Sequence, residues 1–134
     1  AMHDSSERDL PPSCHPKTRL KVIETIIAWI EDADPLVDIL WLHAPFGYGK
    51  SAVMQTAIGI LIFFGLRHLF AGAFFFGRNK PGRDLARYLF PTIAYQIAIN
   101  VPGMRELIDH AMVLDPTLPS KTMEIQLCSI IIKP

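Results

Sequence analysis

The chain has 134 residues, half of them hydrophobic, with thirteen basic and thirteen acidic side chains. That is enough apolar material to bury a core, which excludes a disordered region, and too short a chain for more than one domain. Balanced charge leaves no basic footprint for nucleic acid or an anionic membrane surface.

Residues 1–17 are polar and carry Pro11, Pro12 and Pro16, the composition of a flexible leader. They contain no apolar stretch of the kind a signal peptide needs. Cys14 and Cys128 stand far apart without metal-type spacing, which points to a reducing, cytoplasmic setting. The five histidines form no ligand set and are expected to be satisfied or solvated.

Thr18 reads as an N-cap for a helix running to about Asp32, with Leu20, Ile23, Ile26, Ile27 and Ile30 at helical spacing. The acidic run before Pro35 stops it. Ile39 to Leu42 form an uninterrupted apolar run, the pattern of a parallel strand covered on both faces.

That run leads into Ala44-Pro45-Phe46-Gly47-Tyr48-Gly49-Lys50-Ser51-Ala52, a glycine-bearing turn followed by Lys-Ser at the head of an apolar helix. This is the P-loop arrangement, with Ala44 where the first glycine usually stands. Backbone N–H groups of such a loop converge on phosphate oxygens, and the helix N-terminus adds partial positive charge. In this reading Lys50 reaches the β- and γ-phosphates and the Ser51 hydroxyl ligates Mg²⁺ through the bound nucleotide. Phe46 and Tyr48 are bulky for the motif, so their side chains are expected to point away from the phosphates.

The helix opening at Lys50 is expected to reach about Phe63, and Gly65 to His68 break the pattern. Phe70 to Phe76 read as a second buried strand, and residues 77–82 as a loop. From Ala52 to Gly77 the stretch is long enough to span a bilayer, but Arg67 and His68 within it argue against a transmembrane segment. Asp84 to Asn100 is helical in pattern, with Pro91 either kinking it or opening a second piece. Further helices are expected from Pro102 to about Leu114 and from Ser120 to near the final proline.

With these pieces in order, the run from Thr18 to Pro134 resembles the NACHT-type P-loop domains of fungal NLR-like proteins, which are STAND-class signalling NTPases. The resemblance is carried by "TRLKVIETIIAWI", "ILWLHAPFGYGKSAVMQTA", "AFFFGRNKPGRDLARYLFPTIAYQIA" and "QLCSIIIKP". It implies an α/β fold, with a parallel sheet and helices on both faces. Residues 18–134 would be its N-terminal portion, truncated before the acidic Walker B strand. It also implies that Gly47, Gly49, Lys50 and Ser51 hold the phosphates and Mg²⁺ of ATP or ADP. Thr18 and Arg19 would approach the adenine or ribose. Arg78, after the second strand, would lie at the sheet edge, reaching a phosphate or a neighbouring domain.

The implied partners are the nucleotide, the rest of the NTPase domain, downstream repeat or sensor domains, and further copies on activation. With no Walker B acid in the chain, turnover is not expected from it alone. Two other readings stay open. One is a small P-loop phosphotransferase with Arg78, Arg83 and Arg87 as a lid. The other is a non-enzymatic remnant whose apolar stretch from Ile58 to Phe76 pairs with another chain or a membrane surface.

Overall fold

In the computed structural model, which describes residues 19–77 and 85–134, Ile23, Ile26, Ile27 and Ile30 line one face of α1 (Leu20–Glu31). Steps of three and four residues put them in a single stripe. The stripe packs on Val53, Met54, Ala57 and Ile60 of α2 (Lys50–Phe63), and Leu42 closes the cluster. Burying Ile23 and Ile26 is worth about 1.5–3 kcal/mol each.

A glycine ends α2 by a specific device. Gly65 takes φ 74° just past the helix. The Leu66 N–H then bonds the Leu61 carbonyl at 2.8 Å and the Gly65 N–H the Ile62 carbonyl at 3.3 Å. This is the Schellman arrangement, which satisfies carbonyls that the helix end would leave open. A single 3₁₀ turn, Arg67–Leu69, follows, and Phe70 is buried.

The described residues fall into two compact units, one of residues 19–70 and one of residues 71–77 and 85–134. In the second, a 3₁₀ turn Ala86–Tyr88 leads into α3 (Leu89–Asn100), followed by α4 (Met104–Leu114) and α5 (Met123–Gln126). The last helix runs on as a π-helical turn, Leu127–Ile132. Ala94, Ile108, Ala111, Leu118 and Ile130 form the core of this unit. Pro91 sits in the first turn of α3, where its missing N–H leaves no helical bond unmade.

The expected α/β fold, a partial P-loop NTPase with a parallel sheet, is corrected by the structure: among the described residues there is no strand and no sheet. Ile39 to Leu42 are not a covered strand. Ile39 is 78% and Trp41 79% exposed, and only Leu42 joins the helical core. Residues 71–76 form no strand, and the backbone of Ala71 and Ala73 is bonded by side chains of a helix. The Gln96 Oε1 accepts from the Ala73 N–H at 3.1 Å, and its Nε2 donates to the Ala73 carbonyl at 2.9 Å. Asn100 Nδ2 donates to the Ala71 carbonyl at 3.1 Å. A strand exists only by virtue of a neighbouring backbone, and apolar runs cannot specify one by themselves.

Boundaries moved by smaller amounts. Helix α4 begins at Met104, after Gly103 with φ 82°, and α5 at Met123, where Thr122 Oγ1 accepts from the Ile125 N–H at 3.5 Å. The third helix begins at Leu89; its expected start at Asp84, the leader and the 77–82 loop (beyond Gly77) lie outside the described residues. No helix among the described residues is long and apolar enough to cross a membrane.

Candidate functional site

Two positive-φ glycines shape the loop between Leu42 and α2. Gly47 has φ 84° and closes a turn in which the Tyr48 N–H meets the Pro45 carbonyl at 3.4 Å. Gly49, at φ 74°, caps α2, its carbonyl accepting from the Val53 N–H at 3.0 Å. That places Lys50, Ser51 and Ala52 in the first turn, where helical N–H groups lack intrahelical acceptors. No acidic side chain occupies this turn, so the partial positive charge of the helix end is left uncompensated.

The Lys50 ammonium folds back over the loop, donating to the Ala44 carbonyl at 2.6 Å and the Pro45 carbonyl at 3.0 Å. Both acceptors are neutral, so among the described residues no carboxylate pairs with the lysine's positive charge at the turn. Phe46 is 94% exposed, whereas Tyr48, expected like it to point away from the phosphates, lines the cavity beside the loop.

Arg19 joins the loop from the other helix. It precedes α1 in the left-handed conformation, φ 61°, which side-chain-bearing residues seldom adopt. One guanidinium nitrogen lies 2.7 Å from the point where a Cβ on Gly49 would sit. Gly49 is therefore required twice, for its backbone angle and for the room it leaves Arg19.

A cavity of about 230 Å³ opens here, lined by Arg19, Val22, Leu42, His43, Ala44, Tyr48, Lys50 and Val53. Two cations and an aromatic ring stand over an aliphatic floor, with no carboxylate in the lining among the described residues. The volume falls below the roughly 300–1,000 Å³ usual for a small-molecule site, so it suits one part of a nucleotide. Val22, Leu42 and His43 were not legible as site residues. The available signals were weak: His43 adjoins the motif, and Val22 lies one turn from Arg19 on α1.

The remaining expected residues are placed as follows. Gly47, Gly49, Lys50, Ser51 and Ala52 form the turn and helix start, with Ser51 exposed. Thr18, Arg78 and Arg83 lie outside the described residues. Arg87, offered as part of a lid, lies over the Tyr88 ring at 4.9 Å and donates to the Tyr88 hydroxyl at 2.9 Å.

The second unit holds a cavity of about 240 Å³ among Pro91, Ala94, Tyr95, Ala98, Ile108 and Met112, with Asp109 the one charged wall among the described residues. It lacks the cationic donors that a phosphate needs, and no pattern in the sequence singled it out.

Residues 20–133 match the family model described as nephrocystin 3, N-terminal. That match covers both helical units and the loop between Leu42 and α2. The chain belongs to the nephrocystin 3 N-terminal family. It matches no curated protein and no solved structure.

Proposed function

We propose that the chain binds a nucleotide, ATP or ADP with Mg²⁺, through the loop from Ala44 to Ala52. The observation that carries this is the convergence of Lys50, Arg19 and an acid-free helix N-terminus on one turn built by two positive-φ glycines. Phosphate oxygens need clustered N–H donors and positive charge, and this turn offers both. Mg²⁺ would enter with the nucleotide on the Ser51 hydroxyl and supply charge neutralisation of the phosphates.

The site is a binding site rather than a hydrolytic one. Activation of an attacking water needs a carboxylate or its equivalent, and none lines the cavity among the described residues. The resemblance to NACHT-type domains of fungal NLR-like proteins supports placing this binding in a cytoplasmic nucleotide-dependent switch, with sensor domains and further copies as partners. In such a switch the nucleotide biases the arrangement of domains through its differential affinity for two states.

The test is a titration of fluorescent ATP and ADP, with Mg²⁺, against the wild type and Lys50→Ala. Loss of a charged donor is expected to weaken binding by roughly tenfold to hundredfold. Equal affinity in the two proteins would overturn the proposal.

A further inference from the structure

The resemblance assigns Arg19 to the adenine or ribose, and the position of its side chain beside the loop supports a different role. The Arg19 guanidinium lies against Gly49, the residue that caps α2 and precedes Lys50, with one nitrogen 2.7 Å from the place of a Gly49 Cβ. Among the described residues no carboxylate pairs with it. Lys50 lines the same cavity, its ammonium held by the Ala44 and Pro45 carbonyls. Two positive charges thus flank one turn, and among the described residues the wall they share carries no negative charge to neutralise them. The aliphatic surface offered by Val22, Leu42 and Val53 is the part of the cavity suited to a base or sugar.

We infer that Arg19 is a phosphate contact of this loop, not a base or ribose contact, and that it strengthens the binding of ligands carrying linked phosphates. The inference rests on the nucleotide-binding reading above. Its physical basis is the planar guanidinium fork, which grips two phosphate oxygens at once, whereas an ammonium acts as a single point charge. A ligand with one phosphate could engage Lys50 and the α2 amides. Arg19 also links ligand to fold: it is the residue from which α1 begins, so its capture by phosphate would hold the start of that helix against the loop.

The experiment is calorimetric titration of the full chain with inorganic tripolyphosphate, inorganic phosphate and adenosine. The variants are Lys50→Ala, Arg19→Ala, Arg19→Lys and Arg19→Gly. Glycine accepts the left-handed backbone at position 19, so Arg19→Gly keeps the test decisive where alanine compromises folding. Arg19→Ala and Arg19→Gly are expected to weaken tripolyphosphate roughly tenfold to hundredfold and Arg19→Lys less, with adenosine unchanged. The wild type should also lose affinity more steeply with added salt than Arg19→Gly. If Lys50→Ala weakens tripolyphosphate while the Arg19 variants bind it like the wild type, this inference alone falls. Loss confined to adenosine in the Arg19 variants would return Arg19 to the base side and overturn it equally. Equal tripolyphosphate binding by wild type and Lys50→Ala removes the phosphate loop itself, and this inference with it.

Discussion

Gln96 holds Ala73 by both of its backbone groups, accepting from the N–H at 3.1 Å and donating to the carbonyl at 2.9 Å. The same Nε2 also donates to the Thr92 carbonyl at 3.1 Å, and the side chain is only 3% exposed. One amide on α3 thereby does for residues 71–76 what a neighbouring strand does in a sheet.

Replacing Gln96 with leucine should destabilise the second unit by about 1–3 kcal/mol, because both Ala73 groups lose their partner. Asn100→Ala removes one exposed bond, to the Ala71 carbonyl, and should cost clearly less. Urea unfolding followed by circular dichroism compares the two. Equal small effects would show that the amide does not hold the segment.

Gly49→Ala should be destabilising by more than an ordinary surface change. Left-handed backbone costs a residue with a Cβ about 1–2 kcal/mol, and the new methyl would meet the Arg19 guanidinium. Arg19→Gly should relieve the second cost and not the first. The double mutant is therefore expected to be more stable than the sum of the single changes implies, by a coupling of about 0.5–3 kcal/mol. Strict additivity would place Arg19 away from Gly49 in solution.

The absence of a sheet among the described residues has its own consequence. Ile39→Ser should shift stability by no more than about 0.5 kcal/mol, as expected of an exposed position. Ile26→Ala, within the α1–α2 core, should cost about 2–5 kcal/mol. A large loss at Ile39 in thermal unfolding would restore the covered strand that its apolar neighbours suggest.

Acid should act through Asp115. Hydrogen bonds from the side chains of Lys121 and Thr117 lower its pKa from 3.8 to about 2. A depressed folded pKa means stability that is present above pH 3.8 and lost as the pH falls through about 2. Asp115→Asn should flatten the acid limb of a plot of unfolding midpoint against pH. An unchanged acid limb would exclude Asp115 from it.

Much of the helical content was legible along the chain. Helix α2 runs from Lys50 to Phe63 as expected, and α1 ends at Glu31 beside its acidic stop, because periodicity and helix breakers act within a few residues. Gly65 could be read as a stop because a left-handed C-terminal residue is a local demand. The sheet was misread for the opposite reason. Apolar runs at 39–42 and 70–76 state that a segment favours burial or extension, not which backbone will bond to it.

The loop divides in the same way. Its glycines, Lys50 and Ser51 were determined by the sequence alone, since a turn leading into a helix start is built from adjacent residues. That Arg19, Val22 and His43 share its cavity was decided only by tertiary structure. Arg19 and Gly49 are thirty positions apart in the numbering, and they meet because the isoleucine stripe of α1 packs on Val53 and Ala57 of α2. The stripe is visible in the sequence. The surface it settles on, and so the charge it delivers to the loop, follows from packing between helices, which no local pattern encodes.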